Sequence, residues 1–347
     1  MTFEQPLPYL TREIAGVGGV IRTQPEDFRV EELPLYLPCG QGEHLYLRVT
    51  KRGLATPELV SRLSSSLGVK ARCIGVAGLK DARAVTTQMV SAQGILPEAI
   101  SRLRLDGRLL SVEVLGRHRN RLRKGHHRGN RFQIVVRGVS ASAREVLPLI
   151  LEQLLRRGVP NYFGPQRQGR EGRNYELGEA LLHDAARRNS MPRVKRLWFL
   201  HAYQSFLFNR ILARRIDRLD CVLDGDWAMK HENGACFQVE NAAQEQERAE
   251  RFEISPTGPL FGSRASWACG EPGELEQTCV AELGTTREAL VQAAAACGFR
   301  GERRSLRVKL GDLDWEILDD SVTVTFTLPP GAYATSVLRE VMKTDVA

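Results

Sequence analysis

The spacing of apolar residues divides the chain into a strand-rich beginning, a helical middle and a strand-rich end. Leu45, Leu47 and Val49 alternate with Tyr46 and Arg48, the period of a half-buried strand. Leu59, Leu63 and Leu67 then fall on one face of a helix. Thr56 is suited to cap it, Pro57 to its first position, Glu58 to the positive end of its dipole and Gly68 to a left-handed stop. Ile74 to Ala77 and Thr86 to Ser91 read as short strands on either side of the turn Gly78-Leu79-Lys80-Asp81. Phe132 to Val136 reads as another strand, and Val146, Leu147, Ile150, Leu151, Leu154 and Leu155 keep helical spacing.

After Gly158 the texture changes. Val159 to Gly164 is loop-like, and a long helical pattern runs from Arg193 to about Arg215. Asn241 to Glu250 has no apolar stripe beyond alanine and reads as a solvent-facing helix or mobile loop. Alternation returns at Val322, Val324, Phe326 and Leu328, and Pro329-Pro330-Gly331 ends it. Thr335 or Ser336 then starts a last helix. The order suggests one domain inserted into another, although periodicity alone does not show that the two ends share a sheet.

With 347 residues the chain exceeds one ordinary core, so two domains are expected. A net charge of +8 makes a polyanionic partner plausible without specifying a fold. The seven cysteines contain no Cys-x-x-Cys pair, which argues against a zinc ribbon or redox pair and for reduced thiols in the cytoplasm. Met1 to Pro6 lacks the start of a secretory signal, and no apolar run is long enough to span a bilayer. With no heptad or large apolar edge, a monomer is expected.

The densest charged feature runs from Arg117 to Arg131. It holds Arg117, Arg119, Arg121, Arg123, Lys124, Arg128 and Arg131 with His118, His126 and His127, and no carboxylate. Such a segment suits a nucleic-acid backbone clamp, because each phosphate it meets releases counterions. Gly125 and Gly129 would allow close approach to a phosphate. The competing reading is a solvated basic loop. His126-His127 is a poor metal pair, since neighbours on a strand point apart and no third ligand stands out. Asp81, after a buried strand and beside Lys80, has two readings: a turn aspartate satisfying local N–H groups, or an ionised nucleophile or base. Asn130 and Phe132 likewise suit either base recognition or an ordinary strand. Gly16-Val17-Gly18-Gly19 lacks the full dinucleotide fingerprint and is discarded as a cofactor loop.

Five segments, taken together and in order, resemble the tRNA pseudouridine synthase D (TruD) family. They are Pro25-Glu26-Asp27-Phe28 with Val30 and Glu31; Gly78-Leu79-Lys80-Asp81 with Ala84-Val85-Thr86; and Arg123-Lys124-Gly125 followed by Gly129-Asn130 and Phe132. The last two are Val159 to Gly164 with Gln166-Arg167, and Leu328-Pro329 with Ala334-Thr335-Ser336-Val337 and Arg339-Glu340. The resemblance implies an α/β (α+β) pseudouridine-synthase fold, a mixed and largely antiparallel sheet flanked by helices, with an inserted α/β family-specific domain. Residues 1–157 and 304–347 would form the catalytic domain and 158–303 the insert. It further implies isomerisation of uridine 13 of tRNA with no metal or organic cofactor. Asp81 would be the nucleophile, Phe132 would stack on the flipped base, and Asn130 would hold the loop or the base edge. Arg22 would orient Asp81, and Lys80 would add to backbone or phosphate electrostatics. Arg119, Arg121, Arg123, Lys124 and Arg128 would meet the RNA backbone. One departure is Gln168, where the family commonly has an aromatic before Gly169. Two other functions remain in view: an RNA-binding or chaperone protein without catalysis, and the same isomerisation on another RNA.

Overall fold

The computed structural model describes residues 6–169 and 172–344, with the side chains of 165 and 166 outside that description. The side chain of Gln166 and the first five residues therefore lie outside the described residues. In chain order the first elements are β1 (Gly18–Val20), β2 (Phe28–Pro34), β3 (His44–Arg52), α1 (Thr56–Leu67), β4 (Ile74–Val76), β5 (Val85–Gln93), β6 (Leu109–His118) and β7 (His127–Val139). The middle follows with α2 (Ala143–Arg157), β8 (Val159–Pro160), α3 (Asn174–His183), α4 (Ala185–Ser190), α5 (Arg193–Arg215), β9 (Trp227–Lys230) and β10 (Cys236–Gln238). Next come α6 (Ala242–Glu250), β11 (Ile254–Leu260), α7 (Gly270–Ala281), α8 (Arg287–Ala296) and β12 (Glu302–Ser305). The chain closes with β13 (Arg307–Val308), β14 (Gly311–Leu318), β15 (Ser321–Leu328) and α9 (Ala334–Met342).

Two compact units result: Val17–Arg144 with Leu310–Ala332, and Met1–Gly16 with Glu145–Lys309 and Tyr333–Ala347. Their breaks at 144/145 and 309/310 lie 13 and 6 residues from the 157/158 and 303/304 divisions expected from sequence, and residues 6–16 and 333–344, expected with the sheet, group with the second unit. The first unit is built on one sheet in the order β14-β15-β7-β2-β5-β3-β6, with β1 added to β7 and β4 to β5. Among the described residues only β2 and β5 run parallel, so the sheet is mixed and largely antiparallel. Strands from both ends of the chain meet in it, because β15 pairs with β7 along its whole length. Hydrogen bonding across the sheet settles what periodicity could not.

Leu45, Leu47 and Val49 of β3 and Val90 and Ala92 of β5 form a buried cluster with Leu59 and Leu63 of α1. The helix ends at Gly68, left-handed at φ +65, as its sequence predicts. Its start differs. Ala55 is the cap residue, and Thr56, the first helical residue, directs its hydroxyl elsewhere. β7 is also longer than the apolar run that predicted it, taking in His127 and Arg128 at its start. Pairing to β2 on one side and β15 on the other extends the strand past its apolar residues. A Cβ at Gly129 would lie 2.3 Å from the Leu328 carbonyl oxygen. The glycine therefore serves close strand packing here, whereas Gly125 stays exposed in the loop at φ +93.

The second unit packs α3, α5, α7 and α8 around Leu200, Tyr203, Leu207 and Phe261, with a separate sheet in the order β10-β9-β11-β12. The span Arg193–Arg215 is helical throughout, as its spacing predicts. The polar stretch is helix α6, capped by Asn241. Val159–Pro160, expected as loop, pairs with Arg307–Val308. Gln168 donates to the Ala202 carbonyl at 3.1 Å and accepts the Tyr175 N–H at 3.1 Å. Its amide thus makes two backbone bonds that an aromatic ring could not.

Candidate active site

In a sheet, directly paired residues point to the same face. Pairing across five strands therefore sets Phe326, Phe132, Val30, Thr86 and Lys51 in one row. The next row contains Leu328, Asn130 and Glu32. One face of the first unit thus gathers a buried aromatic, an amide, a carboxylate and an ammonium. Phe132 stacks on Phe326 at 5.4 Å between ring centroids and meets Phe28 edge-on at 6.3 Å. It is buried, as a strand residue at that phase should be. The Asn130 Oδ1 atom is buried with no hydrogen-bond partner among the described residues.

Asp81 lies in the turn between β4 and β5. Arg22 donates to its Oδ2 at 2.6 Å, and the Arg83 N–H donates to its Oδ1 at 3.2 Å. The Asp81 side chain keeps 35% of its surface exposed while that of Arg22 keeps 13%, so a fixed carboxylate remains open to an incoming group. Arg22 also lies 4.3 Å above the Phe28 ring, which links Asp81 to the aromatic row. Its own backbone is left-handed at φ +59, a conformation a non-glycine residue adopts at a cost of about 1–3 kcal/mol. Strain of that kind concentrates where function fixes geometry.

Lys80 was expected to add to phosphate electrostatics. Its side chain is only 4% exposed and forms an ion pair with Glu32, itself 1% exposed, at 2.6 Å. It is committed to the interior. Glu32 also accepts the Met89 N–H at 3.0 Å, and the Thr56 hydroxyl accepts the Lys80 N–H at 2.9 Å while donating to Gln88. The turn is therefore anchored at Lys80, by its ammonium and by its backbone, through buried polar groups.

The basic segment is divided by the fold: Arg117 and His118 end β6, His127 to Arg131 begin β7, and the residues between form the loop. Arg119 donates to the Gln41 side chain at 2.7 Å and Arg121 to the Ile74 carbonyl at 2.6 Å. Arg123, Lys124 and Arg128 are exposed. None of these five cations forms an ion pair among the described residues. The Gly125 N–H donates to the Ala77 carbonyl at 2.8 Å, tying the loop to the strand that leads into the Asp81 turn. Sequence reading missed Glu32 and Lys51, yet each carries a signal. Glu32 continues the apolar phase of Phe28 and Val30, and Lys51 that of Leu45, Leu47 and Val49. A charge at an apolar strand phase marks a buried ion in need of a partner. Among the described residues no group of three or more His, Cys, Asp or Glu side chains is placed to hold a metal, and no helix is long and apolar enough to cross a membrane.

The family model described as tRNA pseudouridine synthase D (TruD) matches residues 6–191 and 185–341. Among curated proteins, the tRNA pseudouridine synthase D of Syntrophotalea carbinolica is 41% identical over 399 aligned positions, covering 97% of this chain and 99% of the relative. That of Thermus thermophilus is 44% identical, covering 97% and 92%. Among solved structures, one from Methanosarcina mazei, assigned to tRNA pseudouridine synthase D (TruD), is similar with a TM-score of 0.83 and 28% identity. The alignment spans 97% of this chain and 96% of that one.

Proposed function

Because the chain belongs to the tRNA pseudouridine synthase D (TruD) family and is thus an isomerase, we propose that it converts uridine 13 of tRNA to pseudouridine with Asp81 as nucleophile. The observation that carries this reading is the Asp81 carboxylate, held by Arg22 at 2.6 Å yet open over a third of its surface. The reaction breaks the N1–C1′ bond, turns the uracil and joins C5 to C1′; C5 loses its proton and N1 ends protonated. A carboxylate serves this by attacking C1′, or by stabilising it and taking a sugar proton, and both routes need it fixed beside the ribose.

The uridine must leave its stack to reach Asp81. Phe132, between Phe28 and Phe326, then supplies an apolar wall for the base, and the unpartnered Asn130 Oδ1 an acceptor for its N3–H. Arg119, Arg121, Arg123, Lys124 and Arg128 would take the RNA backbone, as cations without carboxylate partners can exchange counterions for phosphates. Lys80 acts from the interior, holding the turn through Glu32. The reading includes a cytoplasmic monomer that needs no metal or organic cofactor. It keeps residues 158–303 as the inserted domain and 1–157 with 304–347 as the catalytic one.

The test is to incubate the purified protein with unmodified tRNA transcripts and map pseudouridine by carbodiimide-block sequencing. We expect one modified site, uridine 13, with chelators having no effect. Modification elsewhere would reassign the target, and tRNA binding with no product would favour a non-catalytic RNA-binding protein.

A further inference from the structure

The Asp81 turn is exposed at Leu79, Asp81, Ala82 and Arg83, yet the reaction requires its carboxylate in one place. Two interior groups reach it from beneath the start of α1. One is the Thr56 hydroxyl on the Lys80 N–H. The other is Lys51, whose Nζ donates to the Leu54 carbonyl at 2.5 Å and to the Asp81 carbonyl at 3.5 Å. Lys51 has no exposed surface, and its ammonium forms no ion pair among the described residues.

The residues facing Lys51 leave it a single counter-charge. Across the sheet its direct neighbours are Thr86 and Leu109, both uncharged. From the turn, Asp81 attracts it and Lys80 repels it, and Lys80 is already paired with Glu32. A leucine or methionine would continue the apolar phase of Leu45, Leu47 and Val49 without withdrawing an ammonium from water. Packing alone gives no reason for a lysine here; its bonds to the Leu54 and Asp81 carbonyls and the charge of Asp81 do.

We infer that Lys51 is a positioning residue for the isomerisation proposed above, on which this inference rests. Its buried ammonium fixes the Asp81 backbone and supplies the interior counter-charge of the turn. The carboxylate then meets C1′ in one orientation and is favoured as the free anion when the product forms. Burial lowers the Lys51 pKa to about 8, against the pull of Asp81 and with a smaller push from Lys80. The charge is present below that value and is lost as pH rises through it.

The test compares wild type with Lys51→Met, at saturating and limiting tRNA, across pH 7 to 9. We expect kcat of Lys51→Met to fall about a hundredfold, with KM and the tRNA dissociation constant within about twofold of wild type. Wild-type kcat should drop on the alkaline side, and the residual kcat of the variant should not follow that drop. A folded Lys51→Met with kcat within about threefold of wild type, or with its loss in KM alone, overturns the inference. If the variant does not fold, the wild-type profile decides, and a flat kcat from pH 7 to 9 overturns it. A wild type that makes no pseudouridine would instead defeat the proposed function.

Discussion

The turn around Asp81 and the loop between β6 and β7 are joined by one hydrogen bond, from the Gly125 N–H to the Ala77 carbonyl, but use charge in opposite ways. In the turn two cations are each matched to an acid: Arg22 to Asp81, Lys80 to Glu32. In the loop Arg119 and Arg121 reach only uncharged acceptors, and Arg123, Lys124 and Arg128 face solvent. The reason is dielectric. A buried charge must be compensated by fixed partners or the fold suffers, whereas an exposed one is compensated by mobile ions. Mobile ions are the ones a polyanion can displace. The turn is therefore organised for geometry and the loop for exchange.

That contrast predicts four outcomes of decreasing size. Asp81→Asn should lower pseudouridine formation at least about a thousandfold while leaving tRNA affinity and thermal stability near wild type. Appreciable turnover by the folded variant would remove Asp81 from the nucleophile's role. Lys80→Met leaves Glu32 uncompensated inside the sheet unit and should cost about 3–5 kcal/mol in denaturant unfolding. A cost near that of an ordinary surface substitution would mean that the pair is solvated and the two regions are less different than the geometry indicates.

Replacing Arg123, Lys124 and Arg128 together by alanine should do the reverse. Unfolding should shift within about 0.5 kcal/mol for each surface change, while the slope of log affinity against log salt falls by about one for each cation that meets a phosphate. An unchanged slope would sink the clamp. The smallest effect concerns a pair with one foot in each regime: Asp27, 1% exposed, and Arg137, 42% exposed. Burial by itself would raise the Asp27 pKa, but the bonds from Arg137 and the Gln24 N–H prevail and hold it below the ordinary 3.8. A lowered folded-state value means stability that is present above pH 3.8 and lost as pH falls through the folded value. Arg137→Met should lower stability near neutrality, where the partnered carboxylate is ionised, and converge on wild type in acid, so that the acid side of its unfolding profile is flatter. An acid limb identical to wild type would show that Arg137 does not set it.

Much of the fold is legible along the chain, and the reasons differ by element. α1 and β15 keep an uninterrupted apolar period, so burial and periodicity report the same thing. β7 does not. Its first residues, His127 to Asn130, have no apolar signal and become strand because β2 and β15 lie on either side. Thr56 reads as a cap, yet its hydroxyl serves Lys80 and Gln88, positions remote in sequence.

Residue identity and order alone specify the family, the acid in the Gly78-Leu79-Lys80-Asp81 turn and the absence of carboxylates from Arg117 to Arg131. These are local facts of identity and order. Folding is what makes Lys80 an interior anchor and Arg123 an exposed cation, and what brings Lys51 under Asp81. Whether a charge is free depends on what other segments bring within a few ångströms of it, and no single stretch of sequence contains those segments.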